Sequence, residues 1–276
     1  EFHRGDFSGR INYIAQRVRH EDGRPLGYLF LYNPDVPASV QTLMVRGNRP
    51  MYERMAALVE PRTRPGAILF GDLEASGTLS RQLPSVAYCR LIRALRGELE
   101  SEVGRRGGIL GKHAGDGVTA FFLSEQLGSD AEAAAAALET ALAFPRLTEE
   151  TASALSADDL PVKPRGIRLN VGAHWGATVF VGQIAAEGRL EVTALGDEVN
   201  EAARIQQSAR HGRVLGSKAL LERLTVDGPT EMGIDPARLE YEPLESLEGV
   251  TEKAIRDAGH LPVVDLHEHL GRAALA

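Results

Sequence analysis

The chain has 276 residues, which is enough for one large domain or for one domain and a smaller unit. Its formal net charge of −7 argues against a general nucleic-acid-binding protein, because such proteins usually present a basic face. Cys89 is the single cysteine, so an internal disulfide is excluded and a reducing, cytoplasmic environment is favoured. No apolar stretch approaches the roughly 20 residues that span a bilayer. The sequence starts at Glu1 without Met or an apolar leader, so we expect a segment of a longer protein, with any membrane attachment outside this sequence.

Residues 1–64 form the first predicted unit. Residues 11–19 and 26–32 have the pattern of two strands joined by a turn. A helix is predicted over residues 40–58, with an interruption at Pro50. This hairpin and helix resemble the end of a PAS-like sensor domain with its signalling linker, and an extension packed on the following domain fits the pattern equally well.

The proline- and arginine-containing stretch 60–66 predicts a boundary, and residues 65–276 form the second predicted domain. A short apolar run over residues 67–70 predicts a buried strand, and Asp72 follows at its carboxyl end. A loop of small polar residues comes next. It leads into a helix whose apolar residues recur at helical spacing over 88–99.

Residues 109–123 predict a hairpin with Asp116 at or near its turn. Ser129 and Glu132 have the spacing of a capping box, which opens an alanine-rich helix. We expect that helix to end before Pro145, because proline disrupts a helix interior.

Residues 148–164 are polar and contain proline, which predicts a surface loop. A second hairpin is expected over residues 167–184, turning at Trp175. A strand over residues 190–195 follows, and then a helix capped by Asp197. The uneven alternation of strands and helices predicts an α+β fold, a sheet with helices packed on it.

Two carboxylates are placed where a metal site can form. Asp72 ends a strand and Asp116 lies at the tip of the next hairpin, so adjacent strands can bring them together. Paired carboxylates at such a place can hold Mg²⁺ or Mn²⁺ together with phosphate oxygens. Each Asp by itself fits a strand end or a turn equally well, since Asp is common there.

Three further features have residue types suited to a nucleotide. The loop at residues 73–78 enters a helix, so its backbone N–H groups can cradle phosphate. Asn200 and Arg204 are four residues apart and share a helix face, which fits ribose and phosphate contacts as well as a solvated face. Lys112 and Thr193 can pair on a purine edge, although either also fits an ordinary strand position.

Three segments together resemble the class III adenylyl and guanylyl cyclases. Residues 70–76, FGDLEAS, are similar to the first metal-binding segment of that family, and residues 112–122, KHAGDGVTAFF, to the second. Residues 195–205, LGDEVNEAARI, are similar to its transition-state segment. The order and approximate spacing agree over residues 66–225.

The resemblance implies the class III cyclase fold, which derives from the ferredoxin-like arrangement and has a mixed, mostly antiparallel sheet with flanking helices. It implies an adenylate cyclase that converts ATP to 3′,5′-cyclic AMP and diphosphate, with two Mg²⁺ or Mn²⁺ ions at each site. It also implies a homodimer with shared active sites, because the metal-binding and transition-state residues of one site come from different chains in this family.

The resemblance gives individual residues a role. Asn200 would orient the ribose, Arg204 would stabilise charge on the transferring phosphoryl group, and Lys112 with Thr193 would contact adenine. The full set consists of the metal ligands Asp72, Leu73 and Asp116, the catalytic residues Asn200 and Arg204, and the substrate-binding residues Lys112, Thr193, Ser76, Gly77 and Thr78.

Other functions were weighed against these residues. Guanylyl cyclases typically have Glu and Cys where this chain has Lys112 and Thr193, so adenine is favoured. Thr at that position points to a subgroup in which some members respond to bicarbonate, which leaves that response open here. A catalytically silent nucleotide-binding module is disfavoured because all four metal-binding and transition-state side chains are present. The triphosphate contact near the C-terminus is open, with Lys253 and Arg189 as candidates.

Overall fold

The computed structural model describes most of the chain, namely residues 2–4, 7–9, 13–19, 24–32, 49–58, 60–112, 115–155, 166–186 and 189–266. Its first strands form two small antiparallel sheets. Strands β1 (Phe2–Arg4) and β2 (Phe7–Gly9) make one of them. Strands β3 (Tyr13–Arg19) and β4 (Pro25–Tyr32) make the other, which confirms the predicted pair of strands.

Helix α1 (Arg49–Ala56) confirms the end of the predicted helix, whose residues 40–48 lie outside the described part of the chain. Whether the predicted helix is interrupted at Pro50 stays a prediction, because the described helix begins at Arg49. Pro50 lies in the first turn, where the N–H that proline lacks has no helical acceptor anyway. Met51 and Met55 are buried in the main hydrophobic core.

An eight-stranded sheet forms the centre of the molecule. In the order β11-β12-β10-β8-β5-β7-β6, only β8 and β10 run parallel, and β9 pairs with the distal half of β8. The sheet is therefore mixed and mostly antiparallel, as expected. Its strands are β5 (Arg62–Leu73), β6 (Ile109–Leu110), β7 (Val118–Leu123), β8 (Leu169–Ala186), β9 (Arg189–Leu195), β10 (Val214–Ser217), β11 (Glu242–Pro243) and β12 (Pro262–Asp265).

Strand β5 begins inside the stretch that was expected to be a boundary. Residues 62–64 pair with β8, and buried Arg64 donates a hydrogen bond from Nη1 to the Val181 carbonyl at 2.8 Å. The register shifts at Pro65, which has no N–H for the ladder. Proline there marks a bulge in a strand, and the division of the chain at residue 65 stays a prediction.

Helices cover both faces of the sheet. Helix α5 contacts the face that carries Gly71, where an added Cβ would lie 3.5 Å from Phe144. Helix α6 lies on the opposite face, against Gly172, where an added Cβ would lie 2.3 Å from the Gln206 nitrogen. The helices are α2 (Ser76–Gln82), α3 (Ser85–Arg105), α4 (Ser124–Leu127), α5 (Asp130–Ala154), α6 (Asp197–Ser208), α7 (Lys218–Leu221), α8 (Gly228–Glu231) and α9 (Glu252–Ala258).

Helix α5 begins as predicted but does not end at Pro145. The Ser129 side chain accepts a hydrogen bond from the Glu132 N–H at 3.1 Å, which confirms the capping box. The helix then continues to Ala154. The surface loop expected from residue 148 is therefore wrong for residues 148–154, which are helical. Burial of Phe144 and Leu147 against the core outweighs the one helical hydrogen bond that Pro145 removes. Residues 156–165 lie outside the described part.

The second predicted hairpin is also wrong. Residues 169–186 form one continuous strand, β8, with Trp175 buried within it. At Gly176 an added Cβ would lie 3.0 Å from the Cβ of Glu198, so this glycine permits close packing of α6. Gly176 was interpreted as part of a turn. In the structure it lies within a strand, and its lack of a side chain lets helix α6 pack closely against that strand.

Candidate active site

The two predicted metal-binding carboxylates lie side by side at one end of the sheet. Gly71 of β5 pairs with Val118 of β7, and continuing this antiparallel register by one residue places Asp72 opposite Gly117. Asp116 is the next residue, in the turn that leads into β7, where Gly115 has a φ of +84°. The position of Asp72 at the strand end and that of Asp116 in the turn agree with the predictions.

The two carboxylates are close enough for the charge of Asp116 to affect Asp72. Burial, and then the charge of Asp116, raise the pKa of Asp72 to about 6, although part of the Asp72 side chain stays open to solvent. A hydrogen bond at the Leu73 backbone opposes that increase. Burial and then both carboxylates raise the pKa of Tyr88 in α3. The environment of Asp72 and Tyr88 therefore disfavours the negatively charged form of each.

The same pair fits a divalent cation that is completed by other ligands. Asp116 Oδ2 is buried and has no hydrogen-bond partner among the residues that the structure describes. Within those residues, no group of three or more His, Cys, Asp or Glu side chains is arranged to hold a metal. Mg²⁺ commonly takes one or two carboxylates and fills its remaining positions with phosphate oxygens and water. Asp72 and Asp116, with the Leu73 carbonyl, match that donor set.

The predicted phosphate loop opens helix α2 directly after Asp72. Ala75 precedes the helix at φ +52°, a left-handed conformation that is uncommon for alanine. The Thr78 amide donates to the Ala75 carbonyl at 2.8 Å, so it belongs to the first helical turn. Ser76, Gly77 and Thr78 are therefore the first residues of helix α2, which corrects the expectation of a loop through residue 78.

The predicted transition-state residues lie in a cleft between α6 and α9, away from the carboxylate pair. The cleft has a volume of about 470 Å³, and Asn200 and Arg204 contribute to it from α6. Gly196, at φ +131°, holds the cap position of α6, so Asp197 is the first helical residue and not the cap that was expected. The cleft is lined by Asp197, Asn200, Glu201, Arg204, Lys253 and Asp257.

Arg204 is the buried cation of this cleft. Its side chain donates from Nε to Asp257 Oδ2 at 3.0 Å and from Nη1 to Gln207 Oε1 at 2.5 Å. The pKa of Asp257 is lowered, first by the hydrogen bond from Arg204 and further by Arg256. Lys253 is exposed and lines the same cleft. Of the two candidates for a triphosphate contact, Lys253 therefore lies beside the transition-state pair, and the side chain of Arg189 lies outside the described part.

A buried histidine lies beneath the same helix. His174 in β8 is 3% exposed, and its Nε2 is 3.1 Å from Glu201 Oε2. The hydrogen bond with His174 lowers the pKa of Glu201 despite its partial burial. His174 was interpreted as a hairpin residue and Glu201 was not singled out. The sequence offered a weak signal at most, because the pair is distant along the chain.

The predicted base-binding pair is brought together by the backbone. The Lys112 amide donates to the Val192 carbonyl at 2.9 Å, and Gly111 forms a bridge with Val192. Thr193 follows in β9, so the two residues lie on neighbouring segments as predicted.

Asp116 and the transition-state pair line different clefts of the chain. Asp116 belongs to a cleft of about 590 Å³ along α3, together with Tyr88 and Ile92. Asn200 and Arg204 belong to the cleft between α6 and α9. The two sets of predicted site residues therefore lie at separate places in the chain.

No family model matches the sequence. An uncharacterised protein of Mycobacterium tuberculosis is 28% identical over 225 residues, which are 80% of this chain and 36% of that protein. An adenylate cyclase of Anabaena cylindrica is 27% identical over 144 residues, which are 52% of this chain and 27% of that protein. This chain thus spans about a third of the length of the curated relatives it matches.

Solved cyclase domains share the fold. The adenylyl cyclase CyaB from Pseudomonas aeruginosa matches with a TM-score of 0.58 and 21% identity, covering 77% of this chain and 100% of that one. The guanylyl cyclase Cya2 matches with a TM-score of 0.58 and 20% identity, covering 74% and 92%. The chain therefore has the fold of a class III nucleotide cyclase catalytic domain.

None of the helices in the described part is both long and apolar enough to cross a membrane.

Proposed function

We propose that this chain is an adenylate cyclase that converts ATP to 3′,5′-cyclic AMP and diphosphate at sites shared between two copies of the domain. One observation carries the proposal. Asp72 and Asp116 lie together at one end of the sheet, with Asp116 in the cleft along α3, whereas Asn200 and Arg204 line the cleft between α6 and α9. A C2 pairing of two copies would bring the first cleft of one to the second cleft of the other, making two equivalent sites.

The reaction is an intramolecular phosphoryl transfer. The 3′-hydroxyl releases its proton to solvent water, and its oxygen forms a bond to the α-phosphorus. The bond from that phosphorus to the bridging oxygen of the β-phosphate breaks, and diphosphate leaves. The contribution of the protein to such a transfer is mainly positioning and electrostatic stabilisation.

Each named residue has a place in this scheme. Asp72 and Asp116 would hold Mg²⁺ or Mn²⁺, which when bound supplies activation of the hydroxyl and neutralises charge on the diphosphate. Asn200 would hold the ribose by its amide. Arg204 would neutralise the charge that develops on the transferring phosphoryl group, since a guanidinium stays protonated and fits phosphate geometry. Lys253, which lines the same cleft, would contact the triphosphate.

Base selection is assigned to Lys112 and Thr193. An ammonium donor beside a hydroxyl suits the acceptor and amino groups on the edge of adenine. The neighbouring backbone of residues 111 and 192 supports the pairing. ATP is therefore the proposed substrate, and comparable turnover of GTP would contradict this assignment.

The test is a cyclase assay with ATP or GTP and Mn²⁺ over a range of protein concentrations. We expect cyclic AMP from ATP, with a specific activity that increases with concentration as dimers form. Asp72→Ala and Arg204→Ala should each be inactive alone, and their mixture should regain activity through one intact site in each heterodimer. A mixture that stays inactive although heterodimers form would contradict the shared site. Tight nucleotide binding without any product would indicate a silent binding module.

A further inference from the structure

Helix α9 lies across a cleft from helix α6, which carries Asn200 and Arg204. Asn200 and Arg204 are four residues apart on α6, and Lys253 and Asp257 are four residues apart on α9. Such spacing places each pair on one helix face. All four side chains line the same cleft, with Arg204 bonded directly to Asp257. Helix α9 is therefore part of the wall of the proposed phosphate site.

The bond to Asp257 uses only one edge of the Arg204 guanidinium. It joins Nε to Oδ2 at 3.0 Å, and Gln207 accepts from Nη1. A guanidinium has five N–H donors in a rigid planar fork, so fixing Nε fixes the direction of the other nitrogens. The structure shows no bond from Nη2 to any residue that it describes. That end of the fork is left for a ligand in the cleft.

Because Arg204 is largely buried, losing its bond to Asp257 would change the orientation of its guanidinium. Arg204 is 8% exposed, whereas the Asp257 side chain is 25% exposed. Without the carboxylate, a largely buried guanidinium would lose a charge-assisted hydrogen bond and would turn toward other acceptors. Asp257 stays ionised because the Arg204 hydrogen bond lowers its pKa.

We propose that Asp257 is a positioning residue that holds Arg204 by Nε so that its Nη2 end points at the transferring phosphoryl group. The inference rests on the proposed cyclase function, because the direction of the Arg204 guanidinium matters for activity only if it binds the phosphoryl group. It adds the C-terminal helix α9 to the active site, through a residue that does not itself touch the substrate.

The kinetic test compares Asp257→Ala and Asp257→Asn with Glu252→Ala, an exposed residue of the same helix. We expect Asp257→Ala to lower kcat by roughly 10- to 100-fold, the range seen when partners that orient active-site ligands are removed, with KM for ATP changed less. Asp257→Asn should recover much of kcat, since its amide oxygen still accepts from Nε. Glu252→Ala should match the unmodified chain. Unchanged or higher activity of Asp257→Ala would overturn the proposal.

Mixing experiments separate positioning from a general loss of folding. Asp257→Ala should regain activity when mixed with Asp72→Ala, because the two changes damage different half-sites. It should not regain activity when mixed with Arg204→Ala, which damages the same half. Heterodimers that form but fail in both mixtures would overturn the proposal by placing Asp257 in the general fold.

The proposed function fails in a different way. Failure of the Asp72→Ala and Arg204→Ala mixture would contradict the shared site itself, whatever Asp257 does. If Asp257→Ala does not fold, Asp257→Asn supplies the comparison. A rescued kcat in that variant supports positioning, and a kcat as low as that of Arg204→Ala overturns it.

Discussion

The two clefts of this domain differ in whether their acidic side chains have partners within the described part of the chain. At the end of β5, Asp72 and Asp116 lie close together, and Asp116 Oδ2 has no hydrogen-bond partner in the described part of the chain. Between α6 and α9, acidic side chains have partners, Arg204 with Asp257 and Glu201 with His174. Under the proposed function, Asp72 and Asp116 of one copy and Arg204 of the other contribute to the same site across a dimer. Under the further proposal, Asp257 fixes the direction of Arg204 within that site.

The largest expected effect comes from neutralising the unpaired cleft. Asp116→Asn should reduce cyclase activity by more than about 100-fold, because bound metal contributes several kcal/mol to charge stabilisation. It should also raise the thermal midpoint, because it removes repulsion of Asp72. Activity assays and thermal unfolding of the same preparation check both. A loss of activity accompanied by a lower midpoint would show that the pair does not repel.

Arg204→Ala should have a similar effect on activity and the opposite effect on stability. We expect a roughly 100-fold lower kcat, as for removal of one preorganised donor to a transition state. The midpoint should fall, because Asp257 loses its partner. Arg146→Ala, an exposed arginine paired with Glu150 on α5, is the matched control and should change neither. Equal stability of the Arg204 and Arg146 variants would remove the contrast between the clefts.

A smaller effect is expected at the buried pair beneath α6. His174→Ala should lower the free energy of unfolding by about 1–3 kcal/mol, because it leaves a cavity and a Glu201 without its hydrogen bond. The pKa of Glu201 should rise toward its ordinary value, since the His174 hydrogen bond is the main cause of its lowering. Urea unfolding and NMR titration of Glu201 would measure these changes. An unaltered Glu201 pKa would show that the pair does not form in solution.

The smallest expected effect is the pH dependence that Asp72 gives to stability. Its pKa is about 6 in the folded chain, above the value near 3.9 of an unfolded Asp. The folded state therefore binds the proton more tightly, so this contribution to stability is full below about pH 4 and is lost as pH rises through 6. Asp72→Asn should thus gain stability over the unmodified chain above pH 6 and lose that gain below pH 4. Urea unfolding of both from pH 4 to 8 is the measurement, and a gain independent of pH would contradict the assigned pKa.

Local patterns were sufficient where a feature depends on a few consecutive residues. The strand before Asp72, the turn at Asp116 and the capping box at Ser129 were all predicted correctly, because each is set by short-range sterics and hydrogen bonding. The helix face shared by Asn200 and Arg204 follows from the 3.6-residue period alone. The same local reasoning failed at Pro145 and Gly176, where packing against distant elements decides whether the chain turns.

By itself the sequence determined the fold class, the order of the site segments and the residues that carry charge in them. Only the tertiary structure determined which charged side chains contact each other. The contact of Arg204 with Asp257 joins residues 53 positions apart, and the Lys112 backbone reaches Val192 through the folded sheet. Such contacts follow from burial and packing of whole elements, which no local pattern encodes. For the same reason, the separation of Asp116 and Arg204 into different clefts became visible only in the folded chain.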